Sequence, residues 1–234
     1  MTRGMALVIG LLVIVAALFA AASPRQNPYF DPALTQKVYP CSWPHPLKPK
    51  ALDPFFEDWF SKPLQDVGEP SLFHNPPPGG RTTIRFTFLP AFVEPVIVRI
   101  DDLYGERPKL TAYRVVGQVR PGPDRNLQRG LTPEEADSIR DFIHSSRVLE
   151  EQPDSCLSDL DGFIFLIEAN GRDGYRFINR WGVTDGSVYE LGNRMFALTG
   201  WPSGRQGPDR NSMSRYGGPA PTDPAAAPPG TDPA

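Results

Sequence analysis

GFIFLIEANGRDGYRFINRW, residues 162–181, decides the fold. Aromatic and branched residues alternate through GFIFLIE, the segment NGRDG supplies turn residues, and alternation resumes in YRFINRW, which is the pattern of a β-hairpin. Phe163, Phe165 and Ile167 fall on one face, and Tyr175, Phe177 and Trp181 are expected to join them. Glu168 ends the first strand. In the register that sets Ala169 opposite Tyr175, it faces Arg176 across the hairpin as a structural ion pair.

Upstream, Thr132, Pro133 and Glu135 form a capping box with proline at the first helical position. Ala136, Ile139, Phe142 and Ile143 give that helix a buried stripe. Before it, residues 81–89 alternate Ile84, Phe86 and Phe88 against Thr83, Arg85 and Thr87, and residues 94–101 repeat the pattern with Val96, Val98 and Ile100. Residues 110–119 read as a third strand. A last helix at 187–199 carries Val188, Leu191, Met195 and Leu198, and Gly200 with Pro202 ends it. The order βββ-α-ββ-α predicts an α+β domain over 81–201, with an antiparallel sheet of about five strands and helices on one face.

The flanks differ in composition. ALVIGLLVIVAALFAAA, from Ala6 to Ala22, follows Arg3 and is apolar throughout. Residues 1–22 are expected to be either a transmembrane anchor or a cleaved signal peptide ending at the small residues before Ser23, and both place the body outside the cytoplasm. Residues 23–80 hold 13 prolines and read as a spacer. Within it lies a short amphipathic helix near 53–61, started by Asp53 and Pro54. Its Phe55, Phe56, Trp59 and Phe60 are expected to dock on the domain, the sharper alternative being a helix lying on a membrane. Residues 202–234 are rich in Pro, Gly, Ala and Asp, and are expected to be disordered.

Two cysteines, Cys41 and Cys156, form a candidate disulfide in an oxidising compartment, with two free thiols as the alternative. No catalytic, cofactor-binding or metal-ligating motif stands out. Asp159, Asp161 and Gly162 are read as a turn, because the remaining ligands of a calcium loop are missing. His45 and His74 lie in the Pro-rich arm, and His144 suits a helix C-terminus. Net charge is −3, so nothing points to nucleic acid. The charge is unevenly split: residues 81–130 carry nine Lys or Arg against five Asp or Glu, and residues 131–201 carry six against thirteen. Arg85, Arg99 and Arg114 on the polar sheet face are a candidate basic surface for an acidic partner.

LDGFIFLIEANGRDGYRFINRW followed by YELGNRMFALTG resembles an uncharacterised group of exported bacterial α+β proteins, over about residues 159–200. The shared elements are Asp161-Gly162 with Glu168, and Tyr175 with Arg180-Trp181. The resemblance implies an exported α+β domain and brings no activity. Taken together, these readings predict a non-enzymatic envelope protein without cofactor. It would be held at the inner membrane, or be periplasmic or secreted if cleaved, and would bind another envelope or membrane protein. The alternatives are a domain binding a small ligand or lipid beneath the helices, and a periplasmic hydrolase whose distant residues, His144 and Glu168 among them, meet in the fold.

Overall fold

The computed structural model describes residues 28–36, 51–91, 94–115, 125–154 and 162–201. Its centre is one six-stranded antiparallel sheet. The strands are β1 (Thr83–Pro90), β2 (Val96–Asp101), β3 (Lys109–Arg114), β4 (Asn126–Gly130), β5 (Phe163–Asn170) and β6 (Arg176–Trp181), in the spatial order β4-β3-β2-β1-β5-β6. β1 and β5 are buried along their whole length, as neighbouring interior strands of a sheet covered on both faces.

One face carries α3 (Pro133–Ser146) and α4 (Gly186–Ala197). Phe86, Phe88, Val98, Phe165 and Ile167 meet Ile139, Ile143, Val188, Leu191 and Met195 there in one dry cluster. The expected capping box starts α3: the Glu135 N–H donates to Thr132 Oγ1 at 3.2 Å, and the Thr132 N–H donates to Glu135 Oε2 at 2.9 Å. Gly192 lets α4 approach closely, since a Cβ there would lie 2.6 Å from the Phe165 ring and 2.7 Å from that of Phe86. The layer between sheet and helices is filled at that point.

The other face is covered by the Pro-rich arm. Its elements are α1 (Ala33–Gln36) and α2 (Pro54–Asp66), the latter capped by Asp53, whose side chain accepts from the Phe55 N–H at 2.9 Å. Phe30, Leu34, Leu52, Phe60 and Leu64 pack on Leu89, Ile97, Ile164, Leu166, Phe177 and Trp181 in a second core.

Several expectations are corrected. The sheet has six strands: DRNLQRG lacks the branched and aromatic residues that mark a strand, and β4 forms from it by pairing with β3. Helices occupy both faces, because the arm hides the apolar residues that β1, β2, β5 and β6 present on the far side. Residues 28–36 and 51–72, expected as spacer, are thus a layer of the fold. The hairpin register differs by one residue: Ala169 pairs with Arg176, and Glu168 with Phe177. A slip of one residue exchanges faces, so Phe177 and Trp181 lie under the arm and Arg176 faces away from Glu168. Cys41, Cys156, Ala6 to Ala22 and the tail from 202 lie outside the described residues. Among the described residues no helix is long and apolar enough to cross a membrane.

Candidate functional site

The arm-side face of the sheet is apolar at one end and ionic at the other. Strand pairing sets Arg99, Arg85 and Glu168 side by side across β2, β1 and β5. Arg85 is 0% exposed and Glu168 1%. The Arg85 Nε and Nη2 donate to Glu168 Oε2 at 2.9 and 2.6 Å, and its Nη1 donates to the Pro70 carbonyl at 2.8 Å and to Glu69 Oε2 at 3.3 Å. Glu69 comes from the arm. It also accepts from Arg99 Nη1 at 2.6 Å, while Arg99 Nε donates to Asp101 Oδ2 at 3.1 Å. The Tyr175 hydroxyl donates to Glu168 Oε1 at 2.8 Å, and the Tyr29 ring lies 5.5 Å from the Arg85 guanidinium carbon. Burial, with Glu168 beside it, holds the Tyr175 hydroxyl well above the usual range, and burial raises Tyr29 similarly. Two buried carboxylates thus face two guanidiniums across hydrogen bonds, an arrangement that ties the arm to the sheet.

This replaces the expected basic surface. Arg85 and Arg99 point beneath the arm and are matched by Glu69, Glu168 and Asp101. The alternation places Arg85 and Arg99 on the polar face, but the arm covers that face too, and Glu69 within the arm is the acidic residue that meets both. Arg114 is elsewhere, on the helix-side face, with its guanidinium carbon 4.8 Å from the centre of the Trp201 ring.

His144 is exposed, near the end of α3. It borders a polar cleft of about 540 Å³ with Tyr104, Arg147, Asp173 and Arg176. Glu168 is on the opposite sheet face, so the two do not meet and a hydrolase built on that pair has no shared site. His74 Nε2 lies 2.7 Å from the Pro28 carbonyl oxygen and serves the arm. Among the described residues, no group of His, Cys, Asp or Glu is placed to hold a metal ion.

Among the described residues, a strand at the sheet edge is left without a second partner. β4 pairs only with β3 among the described strands. The Arg114 N–H donates to the Arg125 carbonyl at 2.9 Å, and the Leu131 N–H donates to the Pro108 carbonyl at 2.9 Å. Hydrogen-bonded pairs alternate in an antiparallel ladder. Leu127 and Arg129 therefore turn their amides toward β3, and Asn126, Gln128 and Gly130 turn theirs outward. The same alternation places Arg114, Arg125, Leu127 and Arg129 on the helix-side face. Arg129 binds Glu135 bidentately, both contacts at 2.7 Å, and donates to the Leu198 carbonyl at 2.7 Å. That bonding holds the Glu135 carboxyl below its ordinary range. Lys109 and Arg120 bring this hairpin, residues 109–130, to five Lys or Arg, against Asp124 alone.

The class defined by the fold is an α+β domain with a six-stranded antiparallel sheet between two helical layers. No protein-family model and no curated protein matches the chain.

Proposed function

We propose that this chain is a non-enzymatic, exported protein, anchored by residues 6–22, whose α+β domain binds another envelope component through the outer edge of β4. The observation carrying the proposal is that β4 ends the sheet with outward backbone groups in the most basic hairpin of the molecule. An open strand edge is a template for pairing with another chain. The resemblance of residues 159–200 to exported bacterial proteins and the apolar N-terminal run support the compartment.

The test is photocrosslinking in intact cells, from full-length protein carrying a photoreactive residue at Gln128, with the same residue at the exposed Lys62 of α2 as control. A single envelope protein captured from Gln128 and absent from Lys62 is expected. Identical patterns at both positions, or no adduct, would overturn the binding assignment. Recovery of the mature protein from the soluble fraction with Ser23 at its N-terminus would separately overturn the anchor. The polar cleft beside His144 favours a second reading, a small polar ligand, which predicts saturable perturbation of Tyr104 and Arg176 resonances by that ligand.

A further inference from the structure

We infer that the first turn of α2 is a membrane contact: the Phe55 ring, with Trp59 beside it, enters the interface of a bilayer whose headgroups carry no net charge. The inference rests on the anchoring by residues 6–22 proposed above, and adds which surface of the domain that anchor presses on the lipid.

Three observations carry it. First, Phe55 is 69% exposed, and among the described residues the other exposed large hydrophobic is Tyr104, which has a hydroxyl to offer water. Phe55 does not stand alone. Its ring meets that of Phe56 edge-on with centroids 5.4 Å apart, Phe56 lies 6.1 Å from Trp59, and both lie against Trp181 at 5.5 and 5.7 Å. Phe60 and Leu64 fix α2 to the second core, while Phe55 and Trp59, four residues apart, share another flank of the helix. Trp and Phe are the residues that interfacial helices set into the headgroup boundary. Second, the chain enters the domain beside this patch. The Tyr29 N–H donates to Glu57 Oε1 at 2.6 Å, in the same turn of α2 as Phe55. Only residues 23–27 stand between Ala22 and Pro28, a reach of at most about 18 Å. An anchor in residues 6–22 therefore delivers the start of α2 to the bilayer. So short a tether raises the local concentration of lipid, and a contact of one or two rings then suffices. Third, the charge around the patch is negative. Asp53 accepts from the Phe55 N–H, Glu57 and Asp58 follow, and no Lys or Arg occurs from Ala51 to Ser61. These carboxylates are repelled by an anionic surface, so a neutral headgroup layer is the one that fits. A second copy of this chain at the patch would set the same carboxylates against each other.

The test uses the full chain in phosphatidylcholine nanodiscs, with a spin label placed either on the lipid headgroup or near the top of the acyl chain. The acyl-chain label is expected to broaden the ring resonances of Phe55 and Trp59. It should leave those of Tyr104, in the cleft beside α3, unchanged. Phe55→Ser should keep the urea midpoint of the parent, because the side chain is exposed, and should reduce the Trp59 broadening severalfold. Phe55→Trp should retain it. Adding phosphatidylglycerol should weaken the acyl-chain effect, and a stronger effect would overturn the assignment of a neutral surface. Headgroup broadening at Glu57 and His74 without acyl-chain broadening at Phe55 would overturn the insertion and leave the anchor standing. Absence of both would overturn the anchor and the insertion with it. Undiminished broadening of Trp59 in Phe55→Ser would show that the lipid contact does not depend on that ring, which also overturns the proposal. So would a dimer in which a second copy covers Phe55.

Discussion

Arg85 is a guanidinium wholly removed from water in the middle of a β-sheet, and its position governs what the arm can do. Taking such a charge out of water is favourable only when each donor finds an acceptor, and here Glu168, Glu69 and the Pro70 carbonyl supply them. Replacing Arg85 alone leaves Glu168 buried without its cation, while Glu69 keeps Arg99. Arg85→Met is therefore expected to destabilise the protein by about 3–5 kcal/mol, the usual result of removing one member of a buried pair. Adding Glu168→Gln should recover most of the loss, because the amide oxygen still accepts from Tyr175. Urea denaturation of the two variants checks both statements. A single variant as stable as the parent would show that the network contributes no net stability.

At the scale of elements, the sequence carried most of the helix-side layer and little of the arm-side one. The capped helix α3, the hairpin β5–β6 and the stop of α4 at Gly200 rest on local signals: a capping box, a turn rich in glycine, and a helix end. These are strong because they depend on neighbours in the chain. β4 and the arm depend on distant partners. Asn126, Gln128 and Gly130 are unremarkable as strand residues until β3 lies beside them, and Phe30 and Leu34 occur among prolines that suggest a spacer. The hairpin register was legible only to within one residue, and that one residue moves Phe177 and Trp181 to the other core. Of the site, the alternation of Arg85 with apolar residues was visible, while its burial was not, since Glu69 lies 16 residues away in the chain. The arm is accordingly part of the fold. Phe60, 1% exposed and stacked near Phe56, joins α2 to the second core. Phe60→Ala should cost about 3–5 kcal/mol, as large aromatic truncations in a core do. A loss below about 0.5 kcal/mol in chemical denaturation, as at an exposed site, would mean that α2 is held only at its periphery.

For the whole molecule, the distance from the apolar run to the body is short. Only the five residues 23–27 separate Ala22 from Pro28, whose carbonyl already meets His74. Fully extended, they span at most about 18 Å. A chain anchored through residues 6–22 therefore holds the domain close against the bilayer, whereas a spacer reaching to residue 80 would have let it roam. Six strands place β4 about 24 Å across the sheet from β6, so an anchored domain meets its partner within roughly 40 Å of the membrane, the sum of the two reaches. Full-length protein in nanodiscs containing a paramagnetic headgroup lipid measures this directly. Amides of Glu57 and His74, both bonded to the segment that enters from residue 27, should be strongly broadened. Inserting about twenty Gly and Ser residues after Ser23, with a root-mean-square reach of about 25 Å, should relieve most of that broadening while leaving the fold intact. Native protein in which His74 and Glu57 show no broadening would mean that residues 6–22 do not hold the body at the bilayer, and the β4 edge would then have to find its partner free in solution.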